Sequence, residues 1–279
     1  MSNSQNLIQN NTLFCLADIE KLVSLEAFKI YKKYIEKTGD TSNQQNARPH
    51  NLALALLINK LVLEGLHQKC TGLFYLASPK NNFEHIKYSI IGENVIDRYT
   101  DYPTVRYNGT KIESRADLYD HQEIDGSKND LCLMFMMSEP SKGGFDWGGE
   151  DEVNHIHAFS SAGNADYFEN AIFKWNSGSR YSAVAKSEDT QAPIGVYVIH
   201  VNGTSLQYHH GAVNLTKQVA QSYAKFCPSL LNYKTIKNPG NGTMKMYATF
   251  SNGRIGGDAL TSAEINKIQQ IFTEFEAFL

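Results

Sequence analysis

The densest group of chemistry-bearing side chains in this sequence is a histidine pair that follows a run of carboxylates. Residues 145–157 read FDWGGEDEVNHIH, so the two histidines are separated by a single isoleucine. Alternate residues of a β-strand share a face, which predicts that His155 and His157 lie on the same side of a strand. Asp146 and Glu150 are the carboxylates that we expect to join them.

Imidazole together with carboxylate is a ligand set that suits Zn, Mn or Fe. A divalent metal held by His155, His157, Asp146 and Glu150 would activate water for hydrolysis. A divalent metal is therefore the cofactor that this segment predicts. The alternative is a solvated acidic loop, because an H-x-H pair is a weak motif by itself.

A cysteine–histidine pair is the second catalytic arrangement that the residue types allow. Cys15 directly precedes the first predicted helix, where the partial positive charge of a helix N-terminus favours the thiolate. His155 or His157 would act as the general base, which makes a hydrolase or transferase the competing hypothesis for function. Cys70 and Cys132 lie in apolar runs, and we expect them to be buried and unreactive.

A basic, aromatic stretch at residues 190–257 offers a different kind of site. It contains no Asp or Glu, although the whole chain has a net charge of −3. Residues 111–152 hold the compensating excess, with eleven acidic against four basic residues. Cations would neutralise phosphates and tyrosine rings would stack on bases. The predicted binding residues are Lys217, Lys225, Lys234, Lys237, Lys245, Arg254, Tyr208, Tyr223 and Tyr233.

The leading hypothesis from this stretch is a binding protein for an anionic partner, with nucleic acid as the predicted partner. The simpler interpretations are a solvated sheet face or a patch that docks on the chain's own acidic segment. A third hypothesis is a structural protein that self-associates through complementary charge. His200, expected in the middle of a strand, and the pair His209 and His210, expected to be exposed at a strand end, are predicted to be supporting contacts at best. Phosphate-loop, dinucleotide-binding and nucleophile-elbow motifs are absent from the sequence.

Hydrophobic spacing predicts which elements must position these residues. Apolar residues recur at intervals of three and four in five segments, which are 17–38, 50–67, 165–175, 213–226 and 262–278. Thr261 and Glu264 form a T-x-x-E capping box at the start of the last of them. The segment 50–67 is apolar around most of its circumference, which is typical of a helix buried on several sides.

Strands are predicted between the helices, from short runs rich in β-branched and aromatic residues at 72–78, 85–92, 104–107, 131–138 and 153–160. The pairs Asn108-Gly109 and Asn202-Gly203 predict hairpin turns. The expected fold is α+β: an N-terminal helical pair packed on a mostly antiparallel sheet, with inserted helices and a C-terminal capping helix. We expect segment 1–70 to be helical and 71–279 to form the α+β core of one continuous domain.

Composition places the chain among globular proteins, since 42% of its 279 residues are hydrophobic and 20% are charged. The first residues lack the basic and apolar regions of a secretory signal. No apolar run reaches the roughly 20 residues that span a bilayer. These features predict a cytoplasmic protein with reduced thiols and no membrane span.

Overall fold

The computed structural model describes the secondary-structure elements and the segments that join some of them. The described residues are 16–38, 49–77, 83–98, 104–106, 109–111, 118–120, 124–125, 130–139, 144–150, 155–161, 168–169, 172–176, 179–182, 186–187, 194–211, 213–218, 225–226, 229–230, 243–250 and 260–277. Helices and antiparallel strand pairs together give a mixed α+β architecture.

Four α-helices lie within the described ranges: α1 (Leu16–Leu22), α2 (Leu25–Thr38), α3 (Pro49–Leu63) and α4 (Ser262–Glu276). Short 3₁₀ helices lie at Leu66–Gln68 and Phe83–His85. The predicted helix 17–38 is thus two helices that meet at Ser24. The Oγ of Ser24 accepts a hydrogen bond from the Ala27 N–H at 3.3 Å, and its own N–H donates to Oδ1 of Asn59 at 2.8 Å. Ser24 therefore starts α2 as an N-cap and fixes it to α3.

Nineteen short to medium strands lie within the described ranges. In chain order they are β1 (Cys70–Tyr75), β2 (Ile96–Arg98), β3 (Thr104–Arg106), β4 (Gly109–Lys111), β5 (Leu118–Asp120), β6 (Ile124–Asp125), β7 (Asp130–Glu139), β8 (Gly144–Glu150), β9 (His155–Ser161), β10 (Phe168–Glu169), β11 (Ile172–Asn176), β12 (Ser179–Ser182), β13 (Lys186–Ser187), β14 (Gly195–Asn202), β15 (Ser205–His210), β16 (Val213–Gln218), β17 (Lys225–Phe226), β18 (Ser229–Leu230) and β19 (Thr243–Phe250).

Most strands belong to one of two larger sheets. The first sheet has the order β16-β15-β14-β7-β19-β4-β3, and β1 also pairs with β19. The second sheet has the order β12-β11-β9-β8-β18-β5-β2. Two small pairs, β10 with β13 and β6 with β17, complete the described strands. Each of the described pairings is antiparallel, as the sequence predicted.

The two hairpins predicted from Asn-Gly pairs are confirmed. In the β14–β15 hairpin, Asn202 pairs with Ser205, so Gly203 and Thr204 form the turn. Gly203 has a φ of +59°, a conformation that glycine adopts without a steric penalty from a Cβ. In the β3–β4 hairpin, Arg106 pairs with Gly109, so the chain reverses direction between these two residues.

Two predicted helices are wrong. The segment 165–175 contains β10 and most of β11, and the segment 213–226 contains β16 and β17. Both carry apolar residues at helical spacing, but the strands in both pair with neighbouring strands. Backbone pairing with a preformed neighbour outweighs a weak local preference, and short apolar segments are ambiguous by spacing alone. The inserted helices of the predicted fold are therefore strands.

The first sheet is buried on both of its faces. On one face, alternate residues of β7, β14 and β19 join the helices in a single hydrophobic cluster, with Met134, Val198 and Phe250 fully buried. On the opposite face, Tyr247 stacks between Phe74 and Phe135, with ring centroids 5.9 and 5.6 Å apart. The predicted central helix α3 contributes to the cluster along most of its length, in agreement with its apolar circumference.

Helix α4 closes the helical side of the first sheet, where it packs against β14. The predicted capping box is confirmed: the Thr261 hydroxyl accepts from the Glu264 N–H, and the Glu264 carboxylate accepts from the Thr261 N–H. Glu264 also forms an ion pair with Lys69 at 2.8 Å, which links the helix start to the residue before β1. One carboxylate thus caps the helix and fixes its position.

Candidate functional site

Three of the predicted basic residues lie on strands that are not neighbours. Lys217 lies on β16 and Lys245 on β19, and three strands separate these two in the first sheet. At about 4.8 Å per strand, the two backbones are roughly 19 Å apart. Lys225 lies on β17, which belongs to a separate two-stranded pair. Cations that share one stretch of sequence are therefore distributed over strands that do not pair with one another.

The aromatic part of that prediction is also corrected. Tyr208 is 1% exposed and packs beside Tyr197 with ring centroids 6.2 Å apart, so its ring cannot stack on a ligand. Burial raises the pKa of the Tyr208 hydroxyl, which keeps it protonated. The remaining predicted binding residues lie outside the described residues, and these are Tyr223, Tyr233, Lys234, Lys237 and Arg254.

Lys245 lies at an irregularity in β19 rather than on an exposed face. The register of β19 against β7 shifts between Met244 and Met246, which leaves Lys245 as the extra residue of a bulge. Burial lowers the pKa of Lys245, and the nearby Glu276 carboxylate partly opposes that shift. Burial likewise raises the pKa of Glu276. Lys245 therefore faces a carboxylate of its own chain near the end of α4.

A buried carboxylate–imidazole pair occupies the other end of the first sheet, and sequence reasoning missed it. His200, which is 3% exposed, donates from Nε2 to Oδ1 of Asp130, and Oδ2 of Asp130 accepts from the Leu260 N–H at 3.1 Å. Asp130 thereby holds the end of β14 and the chain that enters α4 together. The predicted strand position of His200 is confirmed, and its side chain is buried against this carboxylate.

The neighbouring histidines are buried or half-buried as well. His209 donates from Nδ1 to Oδ1 of Asn214 at 2.7 Å, and His210 stacks on Tyr197 with centroids 4.1 Å apart. Burial lowers the pKa of both imidazoles, so both favour the neutral form near pH 7. Nδ1 of His200 and Nε2 of His209 have no hydrogen-bond partner among the described residues.

The cysteines behave as predicted where the structure describes them. Cys70 and Cys132 are free and buried in the helical-side cluster. Burial raises the pKa of Cys70 to about 12 and that of Cys132 well above its usual range. Neither thiol supplies a nucleophile at neutral pH. Cys15 lies outside the described residues, immediately before the first residue of α1.

The predicted histidine pair lies in the second sheet, on β9. Backbone register places Glu150 of β8 opposite His155, and Gly148 of β8 opposite His157. The strand predicted from the H-x-H alternation is therefore confirmed, and Glu150 belongs to the neighbouring strand. Asp146 lies two alternations before Glu150 on β8.

The row that contains Gly148 and His157 extends across two more strands beyond β9. His157 is the Cα partner of Lys174 on β11, and Lys174 is the partner of Arg180 on β12. The segment that contains Lys174 was predicted to be a helix, so this cross-strand row could not be read from the sequence. Strand β8 with its carboxylates, β9 with its histidines, and β11 and β12 with Lys174 and Arg180 are therefore adjacent in the sheet.

Alternation divides these four strands into a polar and an apolar set. The polar set, which we call the polar face, consists of Asp146, Gly148, Glu150, His155, His157, Lys174, Arg180 and Ser182, with Phe159 and Ile172 as its apolar members. The other set includes Phe145, Trp147, Ile156, Ala158, Phe173, Trp175 and Tyr181. Antiparallel sheets with this alternation bury the apolar side and leave the polar side to solvent.

A metal centre finds no support in the described part of the chain. No group of three or more His, Cys, Asp or Glu side chains that could hold a metal ion occurs among the residues that the structure describes. The divalent metal predicted at His155 and His157 is corrected accordingly.

Among the described helices, none is long and apolar enough to cross a membrane.

Comparisons with known proteins give matches to solved structures only. No family model matches the chain, and no curated protein sequence matches it. Domain 4 of the extracellular arabinanase AbnA from Geobacillus stearothermophilus, in complex with arabinotriose, is 13% identical with a TM-score of 0.42; the match covers 73% of this chain and 98% of that domain.

Two further similar structures are larger than this chain. A Trypanosoma rangeli sialidase mutant that displays trans-sialidase activity is 10% identical with a TM-score of 0.46, over 81% of this chain and 40% of the sialidase. The binding domain of botulinum neurotoxin DC, in complex with SialylT, is 9% identical with a TM-score of 0.45, over 75% of this chain and 52% of that domain. This chain thus corresponds to about half or less of these two proteins.

The predicted nucleic-acid partner is wrong. Within the chain itself, Tyr208 is buried and the described lysines of residues 190–257 lie on separate strands. The function predicted from the basic stretch is corrected on these grounds.

Proposed function

We propose that this chain binds a carbohydrate on the polar face of the second sheet, across strands β8, β9, β11 and β12. The observation that carries the proposal is the register row Gly148–His157–Lys174–Arg180. This row assembles residues of complementary hydrogen-bonding capacity from four adjacent strands. The binding residues of the proposal therefore include the predicted His155, His157, Asp146 and Glu150.

From β8 to β12, the residues of the polar face change from hydrogen-bond acceptors to hydrogen-bond donors. Carboxylates on β8 accept only, imidazoles on β9 accept and donate, and Lys174 and Arg180 on β11 and β12 donate only. A sugar ring carries neighbouring hydroxyl groups, each of which can donate and accept. A ring laid across the strands would therefore find an acceptor at one side and donors at the other.

Gly148 lies in the middle of β8, between the two acidic positions of the polar face. Glycine inside a strand weakens pairing and is found where a ligand or another backbone approaches closely. Within the row, between Ser229 of β18 and His157 of β9, the missing side chain would leave space for a ring. Carbohydrate is also the ligand class of the arabinanase domain and the neurotoxin binding domain, a likeness that at these TM-scores adds nothing by itself.

A glycan-binding experiment tests the proposal directly. The purified chain is screened against immobilised oligosaccharides that include arabinotriose and sialyllactose, and the bound glycans are then titrated by calorimetry. The variant His157→Ala should lower affinity for the selected glycan at least tenfold, because it removes the centre of the row. The matched control is Glu36→Gln, an exposed change on α2 that should leave affinity unchanged.

Two results would contradict this function. One is the absence of binding to every glycan in the screen at millimolar concentration. The other is binding that His157→Ala and Glu36→Gln affect equally, since the polar face would then have no part in it. Circular dichroism of both variants confirms that they remain folded.

A further inference from the structure

A half-buried lysine lies in the first sheet, outside the site proposed above. Lys245 of β19 is flanked by Met244 and Met246, which are both fully buried. The bulge in β19 sets its position, and the Leu76 N–H donates to the Lys245 carbonyl at 2.8 Å. A β-bulge re-aims a side chain, and bulges are over-represented next to active sites. The backbone that carries this amine is therefore held in place by the residue that follows β1.

A carboxyl group on α4 acts on this amine. Glu276 is half-buried like Lys245, and the two attract each other through space rather than through a hydrogen bond between the described side chains. Burial outweighs this attraction, so it lowers the pKa of Lys245 and raises the pKa of Glu276. Both shifts favour the same pair of forms, which is a free amine beside a protonated carboxylic acid.

Glycine at the start of β14 leaves a gap beside this carboxyl group. A Cβ on Gly195 would lie 3.4 Å from Nε2 of His210 and 3.6 Å from Oε2 of Glu276. The imidazole is fixed in place, because it stacks on Tyr197 and its Nε2–H donates to the Ile194 carbonyl at 3.2 Å. Ile194 is 58% exposed, so solvent reaches this end of β14. The gap is therefore bordered by an imidazole and a carboxyl group and lies next to solvent.

We propose that Lys245 is a reactive amine that binds small aldehydes covalently as an imine, with Glu276 as the acid that removes the carbonyl oxygen. The lone pair of Nζ attacks the carbonyl carbon, and the carbonyl oxygen becomes a hydroxyl group with a proton from the amine. Glu276 protonates this hydroxyl group, which leaves as water while the nitrogen lone pair forms the C=N bond. The products are a protonated imine, the Glu276 carboxylate and one molecule of water.

The borders of the gap indicate the class of aldehyde. An imidazole and a carboxyl group form hydrogen bonds with a hydroxyl group, and a gap the size of a missing side chain suits a short molecule. Short hydroxyaldehydes are therefore the expected ligands. This site is independent of the polar face, since its residues belong to the first sheet and to α4. The competing explanation is that Lys245 and Glu276 serve to hold the end of α4 on β19.

Reductive trapping in the unmodified protein tests this proposal. The full chain is treated with limiting glycolaldehyde and sodium cyanoborohydride at pH 6.5, and peptide mass spectrometry follows the labelling of each lysine with time. Lys245 should be labelled at least tenfold faster than Lys29, an exposed lysine of α2. This advantage should shrink toward pH 10, because exposed lysines, with an ordinary pKa near 10.4, then lose their proton as well.

Variants and a second aldehyde assign the roles. Glu276→Gln keeps the size of the side chain and removes the acid, so it should slow labelling of Lys245 severalfold. The matched control is Glu36→Gln, an exposed carboxylate on α2, which should leave that rate unchanged. Propanal lacks the hydroxyl group, so it should react more slowly than glycolaldehyde at Lys245, with the ratio at Lys29 as the reference.

Two outcomes would overturn the proposal. Equal labelling rates of Lys245 and Lys29 at pH 6.5 would show that the amine has no special reactivity and that the pair with Glu276 is structural. A rate at Lys245 that Glu276→Gln leaves unchanged or raises would show that Glu276 does not supply the proton. The first comparison is made within one folded protein, and circular dichroism shows whether the variants are folded.

Discussion

Histidines occur in two contrasting settings in this chain, one in each large sheet. In the first sheet, His200 and His209 are buried, and each is held by a side-chain acceptor, Asp130 or Asn214. In the second sheet, His155 and His157 lie in rows with Glu150 and Lys174 on neighbouring strands. Histidine thus stabilises the first sheet through buried hydrogen bonds, whereas in the second sheet it belongs to the proposed carbohydrate-binding site.

The difference follows from what covers each sheet. The central strands β7, β14 and β19 of the first sheet are mostly apolar and buried on both faces, so an imidazole there must find an internal partner or lose the hydrogen bonds that it makes in water. In the second sheet, alternation along the strands assigns His155 and His157 to the polar set of residues on which the proposed function depends. A histidine in a sequence therefore becomes informative only when the neighbours of its strand are known.

The largest expected effect comes from removing the carboxylate of the first sheet. Asp130→Ala should lower the free energy of unfolding by about 3 kcal/mol, because it leaves His200 buried without its acceptor and the Leu260 N–H without a partner. Urea denaturation gives the value, with Glu36→Gln as the exposed control. A loss below about 1 kcal/mol would mean that Asp130 does not hold β14 and the start of α4 together.

A smaller effect, dependent on pH, is expected from His209. Burial lowers its pKa in the folded protein, so the unfolded chain binds more protons as the pH falls through its usual value near 6.5. Stability from this group is therefore complete above about pH 7 and decreases on acidification, by up to about 1 kcal/mol at pH 5.5. His209→Gln should reduce the difference in unfolding free energy between pH 7.5 and 5.5.

The contribution of His210 to stability also decreases on acidification, since burial lowers its pKa too. His210 is present in both the unmodified protein and the His209→Gln variant, so its contribution cancels when the two are compared. A difference between pH 7.5 and 5.5 that His209→Gln leaves unchanged would show that this imidazole is not excluded from protonation. Thermal unfolding at both pH values, followed by circular dichroism, provides the measurement.

The smallest effect on stability is expected in the second sheet. His157→Gln should change the free energy of unfolding by less than about 0.5 kcal/mol, as is usual for surface substitutions. His200→Gln, made in parallel, should cost clearly more, because it alters a buried pair. Equal losses in the two variants would abolish the contrast between the sheets and would indicate that His157 is a core residue.

Local signals in the sequence predicted a large part of the fold. The T-x-x-E box at Thr261 placed the start of α4, the apolar run at 131–138 placed β7, and Gly203 placed the β14–β15 turn. In each case, the information lies within a few residues, as a hydrogen bond to the near backbone, an apolar run or a required φ angle. Such signals remain valid whatever the rest of the chain does.

The candidate site could be predicted only in part, because its other half depends on strand register. The alternation of His155 and His157 predicted a strand, but their row to Lys174 and Arg180 is set by pairing between β9, β11 and β12. The basic stretch 190–257 shows the opposite error, since residues close in sequence lie on separate strands. Charge segregation along a chain does not establish charge segregation in space.

The position of α4 in the sequence has a consequence for biosynthesis. This helix covers β14, yet its residues leave the ribosome long after β7 and β14 have been made. Until then, the methionine- and valine-rich side of those strands has only the earlier helices to shield it. Nascent chains at that stage expose part of the hydrophobic surface of the sheet. Chaperones recognise such a surface, and chains that expose it aggregate at high expression rates.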